Sequence, residues 1–296
     1  MTATARDAAG AQAPVASYAS PPATQRRWRR VASALAFALA CRGVVACQAP
    51  PPAPDTWLDA VRQHLERGVV ALAEVPALPN SGAVWTLQHL YPGGPPRFEA
   101  LLSRSVAALR GDPTARLIAP QLPAPDLPAD PGHGILRLSR YLQGPYGTPP
   151  ERASAFVRDF LRSDEQGYIL THQLLAVRWA QQFGVLSGVQ AASLQAPLVA
   201  RVLQEQRTAP PQFRDLYAER VALILASVRL PRAEIAPWID TITAAQQPDG
   251  RWVDAQTSPL VYDGQSATAH HDWTHVSAFA VTALAYVVQQ AEAGVE

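Results

Sequence analysis

The chain of 296 residues contains no lysine, so all 25 of its lysine-plus-arginine residues are arginines. This absence excludes a lysine Schiff base, a phosphate-loop lysine and an ammonium general base. Cysteine is nearly absent too, because Cys41 and Cys47 are the only two. The remaining 249 residues after Cys47 therefore have no thiol nucleophile and no disulfide. No Gly-x-Ser-x-Gly elbow, which marks many serine hydrolases, occurs anywhere in the sequence.

The N-terminal region has the order of an export signal. Four arginines within residues 26–30 precede an apolar run at 31–41, and a proline-rich stretch follows at 48–54. A transmembrane helix needs about 20 predominantly apolar residues, but Arg42 interrupts this run after about eleven residues. The pattern therefore predicts an exported protein, either secreted, periplasmic or anchored to a membrane as a lipoprotein.

Two cleavage positions are consistent with this signal. The segment at 44–47, Val-Val-Ala-Cys, resembles a bacterial lipobox, which predicts lipid attachment to Cys47. The Ala-Leu-Ala segment before Cys41 fits an ordinary signal-peptidase site about equally. In a third interpretation both cysteines are small apolar residues with no role in processing. We accordingly divide the chain into an export segment at 1–47, a linker at 48–55 and one domain at 56–296.

The charge balance of the exported part argues against nucleic acid as a partner. Residues 1–47 hold six arginines and one acidic residue, so the rest of the chain has 19 basic and 23 acidic residues and a net charge of −4. The arginines are scattered along this part rather than clustered. A nucleic-acid-binding domain normally carries a basic surface, and this chain provides none.

The spacing of apolar residues in the domain is mostly helical, and proline and glycine clusters separate the helical stretches. Strand-like alternation of β-branched residues is nearly absent. The fold class predicted is therefore all-α. The expected helices lie near 56–74, 98–110, 133–143, 151–164, 170–183, 190–206, 213–228, 232–247 and 273–290.

Residues 153–183 and 231–290 repeat one helical hairpin. In each copy a helix ends at a glycine with an aromatic residue close behind it, and the next helix opens with Thr-His, at His172 and His275. A helical hairpin of this kind cannot bury its apolar face alone, so neighbouring hairpins must stack on it. The second helix of each hairpin is the more apolar one. The repeat therefore predicts two layers, with apolar helices inside and amphipathic helices outside.

One turn resembles a known family motif. The spacing Gln246-x-x-x-Gly250-x-Trp252, with Ile242 before it, resembles the QW motif of squalene–hopene cyclases and related prenyltransferase-like α/α-toroid proteins. In that family the glutamine closes the end of an outer helix and the tryptophan stacks on the neighbouring hairpin. The resemblance implies an α/α toroid, a ring or partial ring of helical hairpins. Gly250 also suits the left-handed conformation that ends a helix.

The family's catalytic chemistry does not carry over. Squalene–hopene cyclases protonate their substrate with an Asp-x-Asp-Asp motif, which this sequence lacks. Protein prenyltransferases hold zinc with aspartate, cysteine and histidine, and the domain here has no cysteine. Terpene cyclisation and prenyl transfer are therefore not expected.

The resemblance does imply where a site would lie. The inner helices of an α/α toroid run in one direction, so their N-termini gather at one mouth of the central cavity. His133, His172 and His275 would meet there as ligands of a divalent metal such as zinc, for which imidazole and carboxylate groups are suited. In the third hairpin, Asp215 and Glu219 occupy the corresponding stretch, and Asp272 lies three residues before His275. Glu219 and Asp272 would assist, with His172 and His275 as alternative general bases.

Other interpretations of the same residues stay open. Helix N-termini carry partial positive charge, which favours an anionic ligand over a cation. Thr171 and Thr274 would serve more simply as N-caps, with the histidines hydrogen-bonded beside them.

Two arginines, Arg178 and Arg220, lie inside apolar helices. Arg178 and Arg220 each require a carboxylate partner if buried, and Glu219 or Asp215 would supply it. If these arginines face the cavity instead, they would bind an acidic ligand.

Three classes of function fit the sequence. The first is an exported cavity enzyme, a metal-assisted hydrolase or lyase. The second is a lipoprotein that binds a small molecule without catalysis. The third is a structural or interaction protein with a packed centre.

Overall fold

Eight of the nine helices predicted from the sequence form in a computed structural model, which describes residues 55–92, 96–109, 115, 118–119, 150–162, 164–254 and 273–294. The described part is all-helical, as the sequence predicts, with nine α-helices, one π-helical turn and no strand. The helices are α1 (Thr56–Ala73), α2 (Ser81–Trp85), the π-helical turn (Thr86–Leu90), α3 (Pro96–Ala108), α4 (Pro150–Arg162), α5 (Tyr168–Gln182), α6 (Gly188–Thr208), α7 (Asp215–Leu225), α8 (Arg232–Ala244) and α9 (Trp273–Glu292).

Local sequence signals account for several helix starts. The Asp55 side chain accepts a hydrogen bond from the backbone N–H of Leu58 at the start of α1. A capping box opens α6, where Ser187 and Gln190 each bond the other's backbone N–H. These caps satisfy backbone donors that the first turn of a helix leaves unpaired.

The helices α5, α7 and α9 form a parallel layer in the middle of the described core. At their first turns, Tyr168 bonds Asp215 and His275 also bonds Asp215. At the other end, Arg178 of α5 bonds Ser227, which directly follows α7. Twelve of the twenty residues of α9 are buried, all of them between Thr274 and Val287, which matches the apolar composition of that part of the helix.

The QW-like turn after α8 packs against α1. Gln246 donates from Nε2 to the carbonyl oxygens of His64 and Gly250, at 2.9 and 3.0 Å. Trp252 is fully buried, and its indole N–H donates to the Ile242 carbonyl at 2.7 Å. A side chain on Gly68 of α1 would collide with the Trp252 ring at 2.5 Å, so glycine is needed there. The hairpin formed by α8 and α9 is thereby tied to the first described helix.

The structure corrects the start of one predicted helix. Helix α5 begins at Tyr168 after Gly167, which has a φ of 61°. Thr171 therefore lies inside the helix, donating to the Tyr168 carbonyl at 2.9 Å, and the expectation that it is an N-cap is wrong. Thr274 is likewise inside a helix, as the second residue of α9.

The sequence interpretation did not foresee α2 and the π-helical turn, which pack against α9. Each is only five residues long, too short for a helical period to stand out. The helix expected at 133–143 and the export segment at 1–47 lie outside the described residues. Within the part that is described, no helix combines the length and the apolar character needed to cross a membrane.

Candidate metal site

Three ionisable side chains from two helices meet at the first turns of the parallel layer. Asp215 and Glu219 are four residues apart on α7, a spacing that places both on one face of the helix. The first turn of α9 brings His275 against them. One ligand atom from each of the three residues lies within 4.8 Å of the other two. The group offers two carboxylates and one imidazole to a single point.

The imidazole is held by the first of these carboxylates. His275 Nδ1 lies 2.9 Å from Asp215 Oδ1 and 3.1 Å from Oδ2. Because an ionised carboxylate can only accept, Nδ1 carries the hydrogen in this arrangement. The ring also packs edge-on against Phe279, with 5.0 Å between centroids. A Cβ added to Gly82 would lie 3.1 Å from His275 Nε2, so α2 confines the other side of the ring.

Tyr168 and His172 of α5 form a second layer around the carboxylates. The Tyr168 hydroxyl donates to Asp215 Oδ2 at 3.2 Å, and the Tyr168 and His172 rings stack with centroids 6.3 Å apart. Desolvation, followed by the charges of Asp215 and Glu219, raises the pKa of Tyr168 far above its ordinary value. Its hydroxyl therefore stays protonated and remains a donor to Asp215.

Asp254, just after the QW-like turn, sets the position of Asp215 through the backbone. Its carboxylate accepts a hydrogen bond from the Asp215 N–H at 3.0 Å and pairs with Arg214 at 3.3 Å. Asp254 thus caps the first turn of α7, which has no side-chain cap from its own N-cap residue. The turn that ties α8 to α1 accordingly also positions the start of α7.

Glu219 is the most deeply buried member of the group, with 1% of its surface exposed. Neither carboxylate oxygen has a hydrogen-bond donor among the described residues. Thr171 lies nearby, but it gives its hydroxyl hydrogen to the Tyr168 carbonyl. Burial, and then the charge of Asp215, raises the pKa of Glu219 to about 7, against the opposing effects of His275, Thr171 and Arg220.

The pKa of Asp215 shifts in the opposite direction, below its ordinary value. Burial tends to raise its pKa, but the charge of His275, the hydrogen bonds from His275 and Tyr168, and the charge of His172 together outweigh burial and lower it. Asp215 and His275 each keep 21% of their side-chain surface exposed. The two carboxylates of one site therefore differ: Asp215 is ionised at neutral pH and keeps part of its surface exposed, whereas the buried Glu219 has its pKa near 7 and is only partly ionised there.

This arrangement has the donor atoms and spacing of a divalent metal site. Zinc binds imidazole nitrogen and carboxylate oxygen at about 2.0–2.2 Å, which at a tetrahedral angle places two ligand atoms about 3.3 Å apart. The 2.9 Å between His275 Nδ1 and Asp215 Oδ1 is the length of their hydrogen bond, so a bound zinc ion would have to displace the Nδ1 hydrogen and widen this separation slightly. A dication would provide the counter-charge that the buried Glu219 lacks, and three protein ligands leave a fourth position open.

The structure gathers some of the residues predicted from sequence and leaves others unplaced. Glu219 and His275 lie together. His172 stands beside Tyr168, close enough to Asp215 to lower its pKa, but it is not one of the three ligand residues. His133, Asp272 and Cys47 lie outside the described residues.

Asp215 was expected with Glu219 in the stretch of the third hairpin that lies at the mouth, and also as a partner for an arginine, but it was not named among the ligands or catalytic residues. The i, i+4 spacing of Asp215 and Glu219 would have identified both as site residues. Tyr168 was missed, because its partner Asp215 comes from another helix and no local pattern contains that contact.

The expected partners of the two internal arginines are wrong. Arg220 pairs with Glu205 at 2.5 Å, because Arg220 and Glu219 are adjacent and therefore point to different faces of α7. Glu205 also accepts hydrogen bonds from the Gly167 N–H. Arg178 donates to Ser227 and the Ala226 carbonyl rather than to any carboxylate within the described part of the chain.

Comparison with protein-family models, curated proteins and solved structures gives no match to this chain.

Proposed function

We propose that this chain is an exported protein of the α/α-toroid type that binds a divalent metal ion through Asp215, Glu219 and His275. The observation that carries the proposal is the convergence of these three side chains, with ligand atoms within 4.8 Å of one another. The buried, hydrogen-bond-free carboxylate of Glu219 supports it, because an unpartnered buried carboxylate is costly and a cation would compensate it.

The toroid part of the proposal has two supports. The parallel layer of α5, α7 and α9 has the common direction expected of inner helices, and its first turns carry the site. The QW-like residues Gln246, Gly250 and Trp252 tie the last hairpin to α1, which would join the two ends of a ring. Export rests on the arginine-then-apolar order at residues 26–41 and on the lipobox-like segment that ends at Cys47.

Within this proposal the metal would act on a small ligand or a water at its open position. Asp215 and His275 are the exposed side of the site, so an incoming group would approach past them. The reaction class that fits is metal-assisted hydrolysis or elimination, with His172, which stacks on Tyr168, as the candidate general base.

The test is metal binding by the chain purified without a histidine tag. Calorimetric titration with zinc should give one site per chain in the wild type. Single variants Asp215→Asn, Glu219→Gln and His275→Ala should each weaken binding by at least about 100-fold, beyond the 10- to 100-fold typical of outer-shell changes. Glu292→Gln, which changes an exposed glutamate, serves as the control and should bind like the wild type. Equal zinc affinity in all five proteins would remove the proposal.

A structural role with a packed centre is the second candidate, because α9 is buried along most of its length. In that case the polar group at the first turns would only link α5, α7 and α9. This alternative expects no zinc binding and a loss of stability in His275→Ala, whereas the metal proposal expects zinc to stabilise the wild type and Glu292→Gln but none of the three ligand variants.

A further inference from the structure

The imidazole ring of His275 is enclosed by three neighbours. Its Nδ1 lies 2.9 Å from Asp215 Oδ1, and the ring of Phe279 packs edge-on against it with 5.0 Å between centroids. The third neighbour is the backbone of α2 at Gly82. These three contacts fix both where the ring lies and which way its Nδ1 points.

Gly82 lies on the side of this ring that is away from Asp215. A Cβ built on Gly82 would lie 3.1 Å from Nε2 and 3.2 Å from Cδ2 of His275, the two ring atoms that are not bonded to Nδ1. The imidazole is therefore held between the Asp215 carboxylate at one edge and the α2 backbone at the opposite edge. Non-bonded carbon atoms normally lie about 3.5–4.0 Å apart, so a side chain at residue 82 would displace either the ring or α2.

The α2 backbone is anchored on both sides of Gly82. Before the helix, the N–H of the buried Leu78 donates to the buried Ser105 hydroxyl of α3 at 2.8 Å. The Asn80 side chain caps α2 by accepting from the N–H groups of Gly82 and Ala83 at 2.7 and 3.2 Å. Ala83 is itself fully buried. Because α2 is held in this way, a side chain at residue 82 would displace the imidazole instead.

The cap of α2 is the other group that a side chain at residue 82 would meet. The same Cβ would lie 2.9 Å from Asn80 Oδ1. Loss of an asparagine cap destabilises the start of a helix, whereas alanine in place of glycine stabilises a helix, so the two changes offset each other. The contact with Asn80 can therefore be removed by substitution while the contact with His275 is kept.

We propose that Gly82 is a positioning residue that fixes His275 against Asp215, and that through His275 it limits the size of the ion that the site accepts. The second part rests on the proposed function. A zinc ion would widen the separation of Nδ1 from the Asp215 oxygen from 2.9 Å to about 3.3 Å, which moves the ring toward Gly82. A larger ion such as cadmium forms longer bonds and would move the ring farther. Site geometry of this kind, more than affinity alone, selects among divalent ions.

The test compares the full-length wild type with Gly82→Ala. In the metal-free protein labelled with nitrogen-15, the Nδ1–H resonance of His275 is assigned by its absence in His275→Ala. This resonance should change its chemical shift in Gly82→Ala, because the added methyl group displaces the ring. In calorimetric titrations Gly82→Ala should bind zinc about 10-fold or more weakly, and its loss of cadmium affinity should be at least about threefold greater than its loss of zinc affinity.

Two comparisons isolate the added methyl group. Asn80→Ala removes the cap, and Asn80→Ala/Gly82→Ala differs from it only by the methyl group against His275. The double variant should therefore show the same changes relative to Asn80→Ala, which keeps the test decisive if Gly82→Ala alone does not fold. Gly188→Ala, whose Cβ would meet only Gln181 Nε2 at 3.7 Å, should match the wild type in every measurement.

The outcomes separate this inference from the metal proposal. An unchanged His275 resonance in both comparisons, or equal losses of zinc and cadmium affinity, would overturn the inference while zinc binding by the wild type still stands. A wild type that binds no zinc, with the His275 resonance still changed in Gly82→Ala, would instead remove the metal proposal and support the positioning role of Gly82.

Discussion

Replacement of Glu219 by glutamine should make the metal-free protein more stable, and only above about pH 4.5. The native pKa of Glu219 is about 7, against 4.5 for a free glutamate, and its carboxylate is almost fully buried. A difference of one pKa unit corresponds to about 1.4 kcal/mol, so ionising Glu219 costs the folded state about 3 kcal/mol.

The direction of this pH dependence follows from the pH at which the folded and the unfolded chain each release the proton of Glu219. Below about pH 4.5 Glu219 is protonated in both the folded and the unfolded chain. Its burial then takes nothing from the free energy of unfolding. As pH rises toward 7, the unfolded chain releases the proton first, so the free energy of unfolding falls. Above pH 7 the loss is complete. Glutamine mimics the protonated side chain and does not titrate, so Glu219→Gln should match the wild type near pH 4.5 and exceed it by about 3 kcal/mol at pH 8.

Urea unfolding with a chelator, at several pH values from 4.5 to 8.5, measures this difference. Other titrating groups, including Asp215 and the histidines, are present in both proteins and largely cancel in the comparison. The folded-state pKa of Asp215 is lowered, so the stability that its ionised carboxylate contributes is lost only as pH falls through that pKa. This loss occurs below the measured range of pH 4.5 to 8.5. Glu292→Gln, at an exposed glutamate, should track the wild type throughout. A difference between wild type and Glu219→Gln that stays constant with pH would refute the reasoning.

Three other substitutions test the surroundings of the site. Gly250→Ala places a Cβ 2.5 Å from the Arg67 carbonyl at a φ of 87°, so thermal unfolding should show a loss of about 2 kcal/mol or more; an unchanged melting temperature would show that the turn relaxes. Trp252→Ala should cost about 3–5 kcal/mol in urea unfolding, as for other fully buried aromatic residues, and a loss under 1 kcal/mol would contradict its role in the core. Tyr168→Phe should lower zinc affinity by about 10- to 100-fold in calorimetry with little change in unfolding free energy, and an unaltered affinity would separate Tyr168 from the site.

Much of the helical structure follows from local chemistry, which is why sequence predicts it. The helix expected at 232–247 is observed at Arg232–Ala244, and the one at 273–290 is observed at Trp273–Glu292. Their apolar periodicity and glycine and proline boundaries are properties of nearby residues. The early start of α5 depends instead on Glu205, 38 residues away, whose carboxylate accepts the Gly167 N–H. No local pattern contains that contact.

The candidate site also depends partly on nearby residues and partly on contacts between distant ones. Asp215 and Glu219 share a helix, so their spacing reveals that they share a face. The approach of His275 depends on the packing of α9 against α7, and the hairpin repeat predicted it only because equivalent helices begin alike. Repetition also favoured His172 as an equal partner. The packing of α5 instead places Tyr168 against Asp215, and His172 stacks on Tyr168 without being one of the three ligand residues.

The most direct test of the metal proposal is a crystal of the chain soaked in zinc and measured on both sides of the zinc absorption edge. We predict one anomalous peak at about 2.0–2.2 Å from His275 Nδ1 and from a carboxylate oxygen of both Asp215 and Glu219. A crystal that shows no peak at this position, with His275 still hydrogen-bonded to Asp215, would contradict the proposal that these three residues form a metal site.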